Sequence, residues 1–381
     1  MRITNTSVTV VGTQWRELVF LELETDTGLV GVSEVRMVSR TDTLEACLHE
    51  LAPRHVLGTD PFDVERLAWN IQRAEYDRPG EVSQSALACF DVACWDLMGQ
   101  ALNVPVWRML GGKFHDRVPA YANGWYQAER EPAKIAALAK QVVARGYRGM
   151  KLDPFGHASA EIDTTERRRA IAIVAAVREA VGPDIKIMLE MHGRFTPSTA
   201  AAVAKLLEPF DPEWIEEPTR PENALGYRSV RSATHLPIAT GERAHTMEDI
   251  RGFIEGGVMD VVQVDLTHFG GFLPMKALAA WADTYNLIMA PHNVCGPVGT
   301  AANLHFAVCT PNYKVLEHFN DFADLWVNDL VDHPPRVDRR DGCFAVPQRP
   351  GLGVKLNHEE CAKHPRTGGR IKLFEAGWEK R

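Results

Sequence analysis

Three glutamates spaced evenly through the middle of the chain form the pattern that most clearly suggests chemistry. Glu190, Glu216 and Glu242 each follow a short apolar run, and both intervals are 26 residues long. Such an interval accommodates a strand, a turn, a helix and a return, so it predicts three carboxylates at the same end of three neighbouring parallel strands. Hard oxygen ligands suit Mg²⁺. The pattern therefore predicts a Mg²⁺ site at the C-terminal mouth of a barrel.

Other polar residues end the neighbouring predicted strands. Lys151 and Asp153 close the second barrel strand and point the same way, because side chains alternate along a strand. His192 lies two residues beyond Glu190. The sixth, seventh and eighth strands end in Asp265, His292 and Glu317. These side chains are predicted to form a ring of acid, base and metal-binding groups around one mouth.

The N-terminal part of the chain has a different pattern from the rest. Residues 1–35 alternate between apolar and polar types, with a turn at Asp26 to Gly28, which predicts antiparallel strands. From Ser83 to Gly99, apolar residues recur every three or four positions, which predicts a helix. The first ~115 residues are therefore expected to form an α+β unit.

After Gly111 and Gly112, strand and helix patterns alternate. The predicted strands are Val118–Ala122, Gly149–Leu152, Lys186–Glu190, Trp214–Glu216, Pro237–Thr240, Val261–Val264, Ile288–Pro291 and Val315–Glu317. A helix over Ala133–Arg145 is expected to end at Gly146, and another to begin at Thr196-Pro197. This alternation favours a (β/α) barrel over an open doubly wound sheet. No GxGxxG or Walker A sequence follows a strand, which disfavours a nucleotide-binding fold.

Composition excludes several classes of function. The 381 residues carry a formal charge of −8 without a Lys/Arg cluster, so we expect no nucleic-acid partner. The seven cysteines form no CxxC pair, which argues against a zinc knuckle or a disulfide framework. No apolar stretch approaches the length of a membrane span and no signal peptide is evident, so we expect no membrane partner and a cytoplasmic location.

The chain resembles the enolase superfamily, in its mandelate racemase-like subgroup, over nearly its whole length. The matching segments are residues 85–99, 104–113, 215–218, 239–243, 270–271 and 350–354. The resemblance implies an α/β fold: a modified TIM (β/α)7β barrel over residues 116–333, covered by an N-terminal α+β capping domain over residues 1–115. The loop-rich segment 334–381 is expected to complete the capping domain. The resemblance also implies a homo-oligomer.

The resemblance assigns roles to the strand-end residues. Family members hold one Mg²⁺ with three carboxylates, which map to Glu190, Glu216 and Glu242. The first of these is more often Asp in the family, so Glu190 is a mild departure. Glu216 is preferred over Glu217 because it keeps the 26-residue interval.

A histidine on the seventh strand is the expected catalytic base. A proton α to a carboxylate is very weakly acidic, and Mg²⁺ on the carboxylate oxygens would stabilise the charge that develops when the proton leaves. Enolase-type sites use a Lys or His base with Mg²⁺. His292 would be this base, with Asp265 fixing its tautomer. Lys151, or Glu317 if protonated, could donate a hydrogen bond to the substrate carboxylate.

His192 indicates the type of reaction. The segment from Glu190 to Arg194 is similar to the Asp-x-His-Gly-Arg motif of acid-sugar dehydratases of the galactonate dehydratase type, where the histidine protonates the departing 3-hydroxyl. The predicted reaction is dehydration of a polyhydroxy carboxylate to a 2-keto-3-deoxy acid. Racemising relatives carry Lys-x-Lys on the second strand, and here the second position is Asp153. The alternative is an acid-sugar cycloisomerase or epimerase that uses the same enediolate intermediate.

Contacts to the rest of the substrate are less constrained. Trp15, Arg194 and Asp153 are the candidates for substrate binding, and Trp15 is expected in a lid over Gly12 to Arg16. Arg194 or Lys151 could meet a distal carboxylate, and both mono- and dicarboxylic acids fit these residues. Two rival classes are a TIM-barrel metallohydrolase and a non-catalytic ligand-binding relative. The first would need a His-x-His pair on its first strand, which the segment from Val118 lacks, and the second would be expected to lose the base or a metal ligand.

Overall fold

An antiparallel sheet begins the fold. The computed structural model describes residues 1–74, 76, 79–368 and 374–378. Strand β1 (Ile3–Gly12) pairs with β2 (Glu17–Thr25), which pairs with β3 (Val30–Val35). Gly28, in the turn between β2 and β3, has a φ of 79°, a conformation that favours glycine. The predicted hairpin is confirmed.

A helical layer covers this sheet. Its α-helices are α1 (Thr41–Leu51), α2 (Val64–Ala74), α3 (Glu81–Ala101) and the short α4 (Val106–Met109). Helix α3 packs on β2 and β3 and is buried on every side over residues 84–99. Its Asp96 accepts hydrogen bonds from the backbone N–H groups of Val32 and Leu352, at 2.9 and 2.7 Å. One buried carboxylate thus joins the sheet, the helix and the C-terminal segment.

Eight parallel strands form a closed barrel. They are β4 (Arg117–Ala122), β5 (Gly149–Leu152), β6 (Lys186–Glu190), β7 (Trp214–Glu216), β8 (Ile238–Thr240), β9 (Val261–Val262), β10 (Ile288–Met289) and β11 (Leu316–His318). Each strand from β4 to β9 pairs with the next. Met289 bridges to Tyr313 just before β11, and β11 pairs with β4 to close the ring.

Seven α-helices connect consecutive barrel strands. They are α5 (Pro132–Ala144), α6 (Thr164–Val181), α7 (Pro197–Leu207), α8 (Ala224–Arg231), α9 (Met247–Glu255), α10 (Phe272–Thr284) and α11 (Pro297–Val308). A 3₁₀ helix, Leu325–Leu330, follows β11 in place of an eighth α-helix. The predicted (β/α)7β barrel with an N-terminal cap is confirmed. Thr196 caps α7 with Pro197 at its first position, as expected.

The chain after the barrel contacts both parts of the fold. Strands β12 (Val337–Asp338) and β13 (Cys343–Ala345) extend the sheet from β4, and helix α12 (His358–Lys363) packs against β1. Residues 374–378 lie at the mouth of the barrel. The domain boundary near residue 115 stays a prediction. Within the described residues, no helix combines the length and apolar character needed to cross a bilayer.

Candidate active site

The three evenly spaced glutamates meet at the mouth of the barrel. Glu190 ends β6, Glu216 ends β7, and Glu242 lies two residues after β8. One carboxylate oxygen from each lies within 4.8 Å of the other two. The backbone within two residues of each glutamate has positive φ, since His192, Glu217 and Gly241 have φ values of 48°, 40° and 131°. Positive φ at a non-glycine residue is often held at functional sites.

Lys151 lies among these carboxylates. Its Nζ is 2.6 Å from Glu216 Oε1, 2.9 Å from Glu317 Oε1 and 3.5 Å from Glu190 Oε2. Burial alone would lower the pKa of this lysine, but Glu216 and Glu317 raise it well above its usual value. Lys151 is therefore a fixed positive charge in the wall of the site.

The donor set fits a divalent cation. Glu190 Oε2 is buried without a hydrogen-bond partner among the described residues. Burial and the neighbouring Glu216 carboxylate raise the pKa of Glu190 well above its usual value, and the charge of Lys151 offsets only part of this shift. Buried carboxylate oxygens of this kind are the ligands that Mg²⁺ prefers. Glu217 is not part of this group, because its carboxylate pairs with Arg243 at 2.9 Å.

His292 and Asp265 form a pair on one side of the glutamates. His292 Nδ1 is 2.7 Å from Asp265 Oδ2, while the other oxygen of Asp265 accepts hydrogen bonds from the backbone N–H and the hydroxyl of Thr267. His292 Nε2 lies 3.7 Å from Glu242 Oε2. Burial favours the neutral ring, but Glu242 and Asp265 raise the pKa of His292 to about 9.

His192 and Asp153 form a second pair. His192 Nδ1 is 2.6 Å from Asp153 Oδ2, an oxygen that also accepts a hydrogen bond from Arg194 Nη2. Burial lowers the pKa of His192, and the charge of Asp153 opposes that shift. The Asp153 bond occupies Nδ1 and leaves Nε2 as the ring atom that can act on a ligand.

A cavity of about 510 Å³ connects these groups. Lys151, His192, His292 and Trp15 line it, as the sequence predicts for catalytic and substrate-binding residues. Trp15 packs on Phe319 with ring centroids 4.9 Å apart, and its neighbour Arg16 donates to the Val294 carbonyl and to Asn320 Oδ1. The segment expected to act as a lid is thus bound to the barrel.

Two predicted substrate-binding residues lie behind the cavity wall. The side chains of Asp153 and Arg194 have no exposed surface, and Arg194 donates to the Met191 and Gly156 carbonyls as well as to Asp153. In this geometry they support His192 and do not reach a substrate, which corrects the expected substrate contact.

Glu317 is also fully engaged inside the protein. Its Oε1 accepts from Asn123 Nδ2 and its Oε2 from the Asn293 N–H, in addition to the Lys151 contact. Both oxygens are acceptors here, so the expected hydrogen-bond donation from a protonated Glu317 does not match the geometry. The residue instead orients Lys151.

The cavity wall also contains residues that the sequence patterns did not single out. Arg36 follows β3, and Trp378 comes from the C-terminal segment. The Trp378 ring packs edge-on against His192 at 5.7 Å, and its Nε1 donates to the Gly156 carbonyl. A strand-end search of the barrel cannot find either residue. For Arg36, the one indication in the sequence is that it directly follows an N-terminal strand and lies two residues after another charged residue, Glu34.

Family comparisons cover both parts of the fold. Residues 2–111 match the family described as "Mandelate racemase / muconate lactonizing enzyme, N-terminal domain". Residues 134–360 match the family described as "Enolase C-terminal domain-like".

Individual relatives are similar over most of their length. The chain is 37% identical to a D-gluconate dehydratase of Thermoproteus tenax over 94% of this chain and 71% of the relative. It is 35% identical to a D-galactonate dehydratase of Pectobacterium atrosepticum over 94% of this chain and 93% of the relative. A crystal structure named mandelate racemase/muconate lactonizing enzyme, from Jannaschia sp. CCS1, superposes with a TM-score of 0.90 at 31% identity, covering 97% of this chain and 99% of that one.

Proposed function

Because the chain is an enzyme of the enolase superfamily, in its mandelate racemase-like group, we propose that it is a Mg²⁺-dependent hydro-lyase that dehydrates sugar acids. The substrate would be a polyhydroxy carboxylate and the product a 2-keto-3-deoxy acid. The two relatives named as dehydratases of D-gluconate and D-galactonate support this class of substrate. Formation of a homo-oligomer stays a prediction.

In this proposal Glu190, Glu216 and Glu242 hold the Mg²⁺ ion. When bound, the ion supplies positive charge that stabilises the negative charge developing on the substrate carboxylate. Lys151 lies beside the Glu216 carboxylate and would donate a hydrogen bond to the substrate carboxylate. Glu317 and Glu216 hold its ammonium group in place.

His292 removes the proton from C2. Its Nδ1–H is held by Asp265, so Nε2 is the atom that accepts the proton. The raised pKa of His292 depends on the Glu242 charge, after the opposing effect of burial. With Glu242 engaged by a bound cation, the pKa of His292 would be lower, which favours the neutral ring that can accept a proton.

His192 protonates the leaving group. Its Nε2 gives a proton to the 3-hydroxyl, the C3–O bond breaks, and water departs as the C2–C3 double bond forms. Burial opposes the imidazolium form that this step needs, and Asp153 provides the charge that stabilises it. The resulting enol then takes a proton at C3 and releases the proton of its C2 hydroxyl to give the 2-keto acid.

The observation that carries the proposal is the pair of His–Asp contacts flanking one acidic triad. Dehydration needs a base at C2 and an acid at the C3 hydroxyl, and His292 and His192 come from different strands beside the same carboxylates. Asp153 occupies the position where a racemase would need a second basic residue, and its carboxylate is already used by His192 and Arg194.

The test is incubation with Mg²⁺ in D₂O against C4–C6 aldonic and aldaric acids and their lactones, followed by proton NMR. A 2-keto-3-deoxy product that disappears in His192→Asn supports the dehydratase. An isomer formed without loss of water would instead indicate the cycloisomerase or epimerase alternative. Absence of both product and C2 exchange across the panel would contradict the proposal.

A further inference from the structure

Arg36 is a cation in the cavity wall without a hydrogen bond or ion pair to any residue that the structure describes. Among the described residues, the other lysine and arginine side chains of the wall are paired: Lys151 with three glutamates, Arg243 with Glu217, and Arg40 with Glu81 at 2.6 Å. Arg36 belongs to the capping side of the cavity, whereas the metal-binding glutamates lie on the barrel side.

The position of Arg36 is fixed by its neighbours. Glu34, two residues earlier, has a buried carboxylate that accepts hydrogen bonds from the backbone N–H groups of Gly296, Val298 and Gly299. Because side chains alternate along an extended chain, Glu34 and Arg36 face the same side. The guanidinium of Arg36 then lies over the Trp15 ring, 5.6 Å from its centroid. Arg36 is therefore held against the cavity by the same contact that joins the cap to the barrel.

No residue that the structure describes provides a contacting counter-ion for the charge of Arg36. Burial lowers the pKa of Arg36, but an arginine keeps its proton at physiological pH. Asp265 and Glu242 act on it only at longer range, since Asp265 is bonded to His292 and Thr267 and Glu242 belongs to the triad. A half-buried guanidinium without a carboxylate partner is costly unless a ligand supplies one.

Resting on the proposed function, we propose that Arg36 binds a second carboxylate on the substrate, so that the enzyme acts on sugar diacids. The reacting carboxylate would bind to the Mg²⁺ ion held by Glu190, Glu216 and Glu242 and to Lys151. A carboxylate at the other end would meet the planar donor fork of Arg36, which suits two parallel hydrogen bonds. This substrate class differs from the monoacids in the names of the two dehydratase relatives.

The experiment compares sugar acids that differ only at their second end. Binding of galactonate against galactarate, and of gluconate against glucarate, is measured by calorimetry with Mg²⁺ on the His292→Asn background, which prevents turnover. Steady-state kinetics on otherwise unmodified enzyme use the same pairs. Arg36→Gln should weaken diacid binding by about 10- to 100-fold and monoacid binding by less than about threefold. Arg36→Lys should lie between, because it keeps the charge without the fork.

Arg40→Gln is the matched control, since it removes an arginine from the same wall whose charge Glu81 already compensates. It should leave the preference for diacids unchanged. Equal losses for both members of a pair in Arg36→Gln, or no preference for the diacid, would overturn the proposal. Tighter binding of 6-phosphogluconate than of glucarate would also overturn it, in favour of a phosphate subsite. Arg36-dependent diacid binding without dehydration of any acid would support the subsite and refute the dehydratase.

Discussion

Lys151 Nζ lies 2.6 Å from Oε1 of Glu216, so a lysine and a proposed metal ligand share a buried hydrogen bond. The same ammonium group compensates Glu317 and Glu190. The proposed metal ligands Glu190 and Glu216 are thus held in a charged network with Lys151.

Replacement of this lysine should destabilise the protein. Lys151→Met leaves buried carboxylates without their counter-charge, which typically costs about 3–5 kcal/mol of unfolding free energy. Denaturant unfolding in EDTA measures the loss, and Mg²⁺ should restore part of it. The control is Lys186→Met, which removes an exposed lysine from its pair with Glu213. Because Lys314 still pairs with Glu213, this change should cost less than about 1 kcal/mol. Equal losses in the two variants would contradict the network.

Mg²⁺ binding should distinguish Glu216 from its neighbour Glu217. A ligand at 100 times its dissociation constant stabilises the folded state by about 2.7 kcal/mol, and EDTA should remove that stabilisation. Glu216→Gln should lose most of this effect, because a carboxylate ligand becomes a neutral amide. Glu217→Gln should keep it, since Glu217 pairs with Arg243. Thermal unfolding with Mg²⁺ or EDTA measures both, and the opposite ranking would assign the ligand to Glu217.

Asp153 and Asp265 should affect different steps. Asp153→Asn weakens support for His192 but leaves the His292 pair intact, so dehydration should fall by about 100-fold while C2 proton exchange continues. Asp265→Asn should reduce both. Proton NMR in D₂O follows exchange and product together. Loss of C2 exchange in Asp153→Asn to the same degree as dehydration would argue against separate acid and base roles.

The free energy of unfolding should decrease as pH rises through the range in which Asp91 loses its proton. Burial raises the pKa of Asp91 from 3.8 to about 7, so the folded state retains a proton that the unfolded chain releases between these values. The free energy of unfolding therefore decreases as pH rises through that window, by at most about 1.4 kcal/mol per pH unit for one proton.

Asp91→Asn should remove the contribution of Asp91 to the pH dependence of the free energy of unfolding, while its side-chain oxygen still accepts from the Phe272 N–H. Asp96 titrates over the same window, because burial also raises its pKa to about 7, and its share should remain. Urea unfolding at pH 5 to 8 measures the difference. An unchanged slope would show that Asp91 does not titrate there.

Glu34 should position the loop that follows His292. Glu34→Gln removes the negative charge at the first turn of α11 and weakens three backbone hydrogen bonds, at a cost of about 1–2 kcal/mol. We expect kcat to fall about tenfold, because the loop directly follows the proposed base His292, and KM for a diacid to rise as well, because the same contact holds Arg36. Glu24→Gln, on the exposed face of β2, is the control. A purely structural role for Glu34 would lower stability without lowering kcat.

The barrel was predictable because each barrel strand after the first ends at or just before a residue of distinctive type. Glu190, Glu216 and His292 follow short apolar runs, and the order of parallel strands is enough to bring them together. Strands β9 and β10 are shorter than expected, since only two residues of each pair with their neighbours. The residues that follow these strands lead to Asp265 and His292.

Side-chain direction was not predictable to the same degree. The side chains of Asp153 and Arg194 are directed away from the cavity. Asp153 accepts from the Phe155 N–H and Arg194 donates to the Gly156 carbonyl, and both of these groups lie in the loop after β5. Alternation along a strand gives the face of a residue but not its hydrogen-bond partner. Arg36 and Trp378 reach the cavity from distant segments, and such packing has no local pattern.

The Glu34 contact also bears on how such chains can be recombined. A chimera that joined the capping segment of one relative to the barrel of another would have to match this carboxylate with three N–H groups at residues 296–299. Gly296 leaves little tolerance, because a Cβ there would lie 2.8 Å from a Glu34 oxygen. Arg36, the proposed specificity residue, and His292, the proposed base, thus lie in separate stretches of chain that such a chimera would have to take from the same parent.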